Sequence, residues 1–160
     1  MALTIEDGSI VANANSYVTD TEYTTYAADR GLTIGTDAAA REIELIKAMD
    51  YLESFEYQAY RSDPDIQLFN FPRRNVYANG RYIDSDEIPR EIKSAQIEAA
   101  IFANTGDLQI NETLQNIQKE KIDVLEVSYF SRGKPTTIRV SSVMRYLEPF
   151  LLDTSALVRV

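Results

Sequence analysis

The stretch from Phe69 to Ile101, FNFPRRNVYANGRYIDSDEIPREIKSAQIEAAI, constrains the fold more than any other part of the chain. It begins with an apolar segment anchored by Pro72, passes through Asn79-Gly80 and ends in a helical pattern introduced by Pro89. A two-residue hairpin turn needs positive φ at both positions, and Asn-Gly supplies it at little steric cost. That turn predicts Tyr77 opposite Tyr82 and Val76 opposite Ile83. Two strands alone are marginal, so the hairpin must pack on helices or pair with another chain. Asp86 or Ser85 is the expected cap of the next helix, with Pro89 in the first turn, where a missing donor matters little. Ile92, Ala95, Gln96, Ala99, Ala100, Phe102 and Ala103 follow on a face whose small residues permit close packing, and Gly106 stops the helix.

Three more helices are expected. Thr19-Asp20-Thr21-Glu22 fits a capping box, with Tyr23, Tyr26 and Ala27 on one face and Gly31 as the stop. The aromatics there read as core rather than as a ligand box. Asp37 or Thr36 caps a second helix running to about Phe55 or Tyr57. Its apolar face is Ile43, Leu45, Ile46, Met49, Leu52 and Phe55, with Glu42, Lys47, Asp50, Glu53 and Glu56 largely opposite. The last helix starts at Ser141 or Ser142, buries Val143, Met144, Leu147, Phe150 and Leu151, and is kinked or divided by Pro149. Residues 58–68 read as a loop. Residues 107–121 are polar, and Ile122, Val124, Val127 and Tyr129 suggest one strand, with a turn at 132–135 and a return over 136–140. The fold class is therefore mainly α: a small bundle of about four helices with a β-hairpin and a second short strand pair. At 160 residues a single domain is expected, spanning 1–160, with extended arms at 1–18 and 153–160.

Composition narrows the chemistry. The chain has no Cys and no His, so thiol nucleophiles, imidazole acid–base catalysis, disulfides and most transition-metal sites are excluded. Asp63 and Asp65 flank Pro64 but lack the oxygen count and order of a calcium loop. No catalytic, cofactor-binding or metal-ligating residue is nominated, and a non-enzymatic protein is expected. No apolar run is long enough to span a membrane. MALTIEDGSI places acidic residues where a signal peptide carries basic ones, so secretion is not expected.

The formal net charge is −9, which opposes a general affinity for phosphate backbones. It is uneven: residues 1–60 carry 3 basic and 11 acidic side chains (3 − 11 = −8), and residues 61–160 carry 13 and 14 (13 − 14 = −1). Such a gradient is either solvated surface or a means of orienting copies head to tail. Arg73, Arg74 and Arg81 among Phe71, Tyr77 and Tyr82 form a candidate single-strand patch, but DSDE at 84–87 offers these arginines nearby carboxylate partners. Residues 1–18 are either a frayed terminus or an arm lying on a neighbouring copy.

Three segments together, EDGSIVANANSYVTDTEYTTYAADRG, FPRRNVYANGRYIDSDEIPREIKSAQIEAA and SVMRYLEPFLL, resemble the small head–tail connector (adaptor, neck) proteins of tailed bacteriophages. Relatives of this kind often carry the label DnaT-like single-stranded DNA-binding. The most specific motifs are ANSYV (Ala14 to Val18) and DEIP (Asp86 to Pro89) followed by Lys93, Ala95, Gln96 and Glu98. The resemblance implies a virion protein assembled in the host cytoplasm as a homo-oligomeric ring of about twelve copies. Its partners would be the portal and the tail or second neck protein, and packaged DNA would pass through without specific binding. It places Leu157, Val158, Arg159 and Val160 against the portal. In such a ring Tyr17 and Val18 of the arm, and Arg73, Arg74, Tyr77 and Tyr82 around a hairpin whose edges a neighbour could complete, are the expected contacts between copies. The alternative is a single-stranded-DNA-binding replication accessory protein. An acidic channel lining would let DNA slide.

Overall fold

The computed structural model describes residues 2–106, 108, 119–122, 125–128 and 139–152. Helix α1 (Asp20–Arg30) starts as its sequence dictates. Thr19 Oγ1 accepts the Glu22 amide at 3.1 Å while the Glu22 carboxylate accepts the Thr19 amide at 2.8 Å, and Gly31 closes the helix in the left-handed conformation. Helix α2 (Ala38–Glu53) is capped by Asp37, whose carboxylate accepts the Ala40 amide at 2.8 Å. It ends earlier than expected. Ser54 folds its hydroxyl back onto the Tyr51 carbonyl at 2.6 Å, competing with further helical bonding.

The buried stripe of α2 is also rotated from the expected one. Leu45, Ala48, Met49, Tyr51 and Leu52 are buried together with Glu44, whereas Ile43 is 51 % exposed. Glu44 is stable inside because its carboxylate accepts the Tyr23 hydroxyl at 2.7 Å and the Gly35 amide at 3.3 Å.

Helix α3 (Arg90–Thr105) packs against α2 and against α4 (Ser141–Leu147). It begins one residue after Pro89, which serves as the N-cap; Asp86 and Ser85 lie outside it, in a turn closed by the Glu87 amide on the Asp84 carbonyl at 3.1 Å. Ala95, Ala99 and Ala100 on its buried face let the backbones approach, so that Gln96 Nε2 reaches the Leu45 carbonyl of α2 at 3.1 Å. After α4 a 3₁₀ turn, Glu148–Phe150, carries Pro149, the division expected from that proline. Phe150 is fully buried and meets Phe71 edge-to-face at 5.9 Å. A side chain of that size contributes on the order of 2–3 kcal/mol by leaving water.

Three antiparallel strand pairs complete the described residues. β1 (Tyr60–Arg61) pairs with β2 (Arg73–Arg74), and β1 lies inside a region read from sequence as loop. β3 (Tyr77–Ala78) pairs with β4 (Arg81–Tyr82) through Asn79-Gly80, both at positive φ, with Tyr77 opposite Tyr82 as expected. β5 (Lys119–Ile122) and β6 (Leu125–Ser128) pair with Ile122 opposite Leu125. The single strand expected over 122–129 is thus a hairpin, because the imperfect phase at Leu125 marks a reversal. The expected turn at 132–135 and residues 136–138 of the expected return over 136–140 lie outside the described residues; Arg139 and Val140 are not strand but lead into α4, with Val140 as its N-cap. Residues 1–108 with 139–160 form one compact unit, and residues 109–138 form a second.

Candidate interaction surface

The N-terminal arm is not free. Glu6, 3 % exposed, accepts the amides of Gly8 at 2.8 Å, Ile10 at 2.9 Å and Val11 at 2.8 Å, folding residues 6–11 around one carboxylate. The Ser16 hydroxyl donates to the Val18 carbonyl at 2.6 Å and accepts the Val18 amide at 3.0 Å. Gln96 of α3 accepts the Tyr17 amide at 3.0 Å and donates to Ser16 Oγ at 2.8 Å. Tyr17 and Val18, expected at a contact between copies, are 1 % and 0 % exposed within the single chain. The Tyr17 hydroxyl accepts the Phe71 amide at 3.1 Å, and burial, reinforced by the nearby Glu53 carboxylate, holds it protonated far above the ordinary tyrosine range. The ANSYV and Gln96 motifs therefore act as an internal clamp.

Arg73 is likewise corrected from surface contact to structural strut. It is 7 % exposed and donates to the carbonyls of Tyr57 at 3.2 Å, Gln58 at 2.9 Å, Ala59 at 2.8 Å and Asn70 at 3.2 Å, and to Asn70 Oδ1 at 3.2 Å. Desolvation, then the charge of Arg61, lowers its pKa from the usual guanidinium value. Arg81 grips the Glu87 carboxylate with two bonds, at 3.0 and 2.6 Å, the pairing that DSDE offered. Arg74 is exposed, and its guanidinium has no ion-pair or hydrogen-bond partner among the described residues.

Around this framework large apolar groups stand in water. Tyr77 and Tyr82, 53 % and 74 % exposed, stack edge-to-face at 5.0 Å on the outer side of the hairpin, while Val76, Ala78 and Ile83 are buried. Exposed Tyr60 lies between Gln58, which donates to the Tyr77 carbonyl at 3.1 Å, and Ser62, whose hydroxyl donates to the Ser85 carbonyl. These bonds stitch the segment carrying Tyr60 to the hairpin segment. Buried Gln67 then pins the 62–72 loop by donating to the Phe69 carbonyl at 2.7 Å and the Pro72 carbonyl at 2.8 Å, leaving its neighbours Ile66 and Leu68 exposed. So five of the exposed large apolar side chains fall within residues 60–82, an unusual concentration for a free surface.

A second cluster was not anticipated. The Arg30 guanidinium lies 3.5 Å from the Tyr26 ring centre, and that of Arg145 lies 4.7 Å from Tyr146. Glu98 joins them, accepting Tyr26 Oη at 2.6 Å and Arg145 Nη2 at 3.2 Å. Arg30 at i+4 from Tyr26 was a readable helical neighbour; its relation to residue 145 was not.

Asp63 and Asp65 form a local turn, with the Asp65 amide on Asp63 Oδ1 at 3.3 Å, and no metal-sized group of acidic residues stands among the described residues. None of the described helices is long and apolar enough to cross a membrane. Leu157, Val158, Arg159 and Val160 lie outside the described residues.

A family model described as "Putative DnaT-like ssDNA binding protein" matches residues 1–160. The chain belongs to that family. The DnaT-like description agrees with single-stranded DNA binding, the alternative expected from sequence, and the match covers both the clamp motifs and the hairpin region. No curated protein and no solved structure matches it.

Proposed function

We propose that this DnaT-like family member is a structural protein of a tailed-phage neck, a ring-forming connector that joins the portal to the tail or next neck protein and acts by shape. One observation carries the reading. The arginines of the 73–81 region are mostly engaged within the subunit, Arg73 by carbonyls and Arg81 by Glu87, while Tyr60, Ile66, Leu68, Tyr77 and Tyr82 stand exposed beside them. That surface suits contact with protein better than contact with phosphates. The charge of −9 and the resemblance of ANSYV and DEIP to connector motifs support it.

The second reading is single-stranded DNA binding, favoured by the family description and by the paired Arg–Tyr stacks at Arg30–Tyr26 and Arg145–Tyr146. Native mass measurement, alone and with a portal ring, beside a single-strand titration at two salt concentrations, separates the two. Assembly without a DNA response is expected. Salt-sensitive single-strand binding lost in an Arg30→Ala, Arg145→Ala variant, with no assembly, would overturn the connector reading in favour of the second.

A further inference from the structure

The geometry points to Asn79 as a site of spontaneous covalent modification: deamidation through a cyclic imide, at a position the fold leaves open. The sequence has two dipeptides prone to this chemistry, Asp7-Gly8 and Asn79-Gly80, in which a glycine amide can attack the carbonyl carbon of the preceding side chain. The structure treats them oppositely.

At Asp7-Gly8 the attacking nitrogen is taken. The Gly8 amide donates to Glu6 Oε1 at 2.8 Å, and Gly8 is buried. The receiving carboxylate is held too, with Asp7 Oδ1 accepting the Ser9 amide at 3.0 Å and the Ser9 hydroxyl at 2.6 Å. The space is closed: a Cβ on Gly8 would lie 1.8 Å from the Asp86 carbonyl oxygen. Imide formation there requires breaking the Glu6 cradle and lifting the arm.

At Asn79-Gly80 none of these restraints exists. Both residues are exposed, and neither the Asn79 carboxamide nor the Gly80 amide makes a hydrogen bond among the described residues. Nothing lies within 4 Å of a Cβ built on Gly80. The turn is held by β3 and β4, each two residues long, and below them by the Ile83 amide on the Val76 carbonyl at 2.9 Å, so rotation about the 79–80 peptide disturbs first the Ala78–Arg81 and Tyr77–Tyr82 pairs at the tip.

The chemistry balances with water and hydroxide alone. Hydroxide removes the Gly80 amide proton, and the nitrogen bonds to Asn79 Cγ. The Cγ–Nδ2 bond of Asn79 breaks, and ammonia leaves with a proton from water. Water then opens the imide, giving aspartate if the new bond breaks, or isoaspartate if the original backbone bond does. Either product puts a carboxylate beside Arg81. Isoaspartate also lengthens the backbone by one carbon, unseating the Tyr77–Tyr82 register.

The test is peptide mapping of the full-length protein held at mildly alkaline pH, folded and in urea, with isoaspartate identified by fragmentation. Each site's folded rate is divided by its own unfolded rate, which removes the different intrinsic reactivities of Asn and Asp. The ratio is expected to lie within about threefold of one at Asn79 and below about one tenth at Asp7, as local opening free energies predict. Equal suppression at the two sites, or no suppression at Asp7, overturns the inference. Glu6→Gln provides a check on the cause: a weaker acceptor for the Gly8 amide should raise the Asp7 ratio and leave Asn79 unchanged.

Discussion

Neighbouring arginines with opposite surroundings give a sharp test. Arg73 donates to five acceptors at 2.8 to 3.2 Å, four of them backbone carbonyls, whereas the Arg74 guanidinium reaches none among the described residues. At about 1 kcal/mol net per bond, exchange with water included, the strut contributes on the order of 5 kcal/mol. Water reaching some of the freed carbonyls recovers part of this, so Arg73→Ala is expected to lose about 3 kcal/mol, a large share of the ~5–15 kcal/mol that holds a domain folded. Arg73→Lys should recover little of it, because one ammonium with three donors cannot span acceptors from residues 57, 58, 59 and 70. Arg74→Ala should stay within about 0.5 kcal/mol. Urea unfolding followed by far-UV circular dichroism gives each value from the midpoint at unchanged slope. Comparable losses for Arg73→Ala and Arg74→Ala, or a fully stable Arg73→Lys, would refute the strut.

Other consequences are open to measurement. Gln96→Leu leaves the Tyr17 amide without its acceptor and should cost about 3 kcal/mol; a change below about 1 kcal/mol would mean the arm is held by packing alone. Gly8→Ala combines a left-handed φ of 108° with the Asp86 collision and should lower the thermal midpoint more than Gly80→Ala, where only the backbone conformation objects. Arg41 beside Asp20 holds that carboxyl below its ordinary pKa, so its contribution is present above the unfolded value and disappears as pH falls through the lower folded value. Asp20→Asn should therefore flatten the acid limb of the stability curve, and an unchanged limb would exclude that pair as its source. Tyr77→Ser with Tyr82→Ser should keep stability within about 1 kcal/mol and, under the proposed ring-forming function, reduce assembly in native mass spectra; undiminished assembly would remove the hairpin face from the contact.

What the sequence made legible was mostly local. The Thr19–Glu22 capping box, the Asn79-Gly80 reversal and the break at Pro149 each depend on residues within a few positions of one another, and each stands where it was expected. The errors arose from partners far along the sequence. Ile43 leaves its expected place in the buried stripe because Tyr23 and Gly35 supply bonds that hold the neighbouring Glu44 carboxylate inside. Pairing of Tyr60 with Arg74 depends on a reversal over residues 62–72 that Gln67 organises; Asp63-Pro64 marks a turn there but not which segments it brings together. Arg73 looked like a surface cation because its type almost never enters a core; only the curl of 57–59 and the position of Asn70 supply enough carbonyls to hold it there. Each Arg–Tyr stack is local, i to i+4 in α1 and adjacent residues in α4, but their junction at Glu98 forms only once three helices have packed.

The clamp between Tyr17 and Gln96 has a bearing on synthesis. A ribosome releases residue 17 long before residue 96, and Phe71 waits just as many residues for Phe150. Until α3 emerges, the Tyr17 amide lacks its native acceptor, and until α4 and the 3₁₀ turn arrive, the bundle has an open apolar flank. Such separations delay productive closure and expose the nascent polypeptide to holdases and proteases for most of its translation. An arrested polypeptide ending before residue 139 should consequently be degraded in the cell far faster than the finished product, even though it already holds three of the helices.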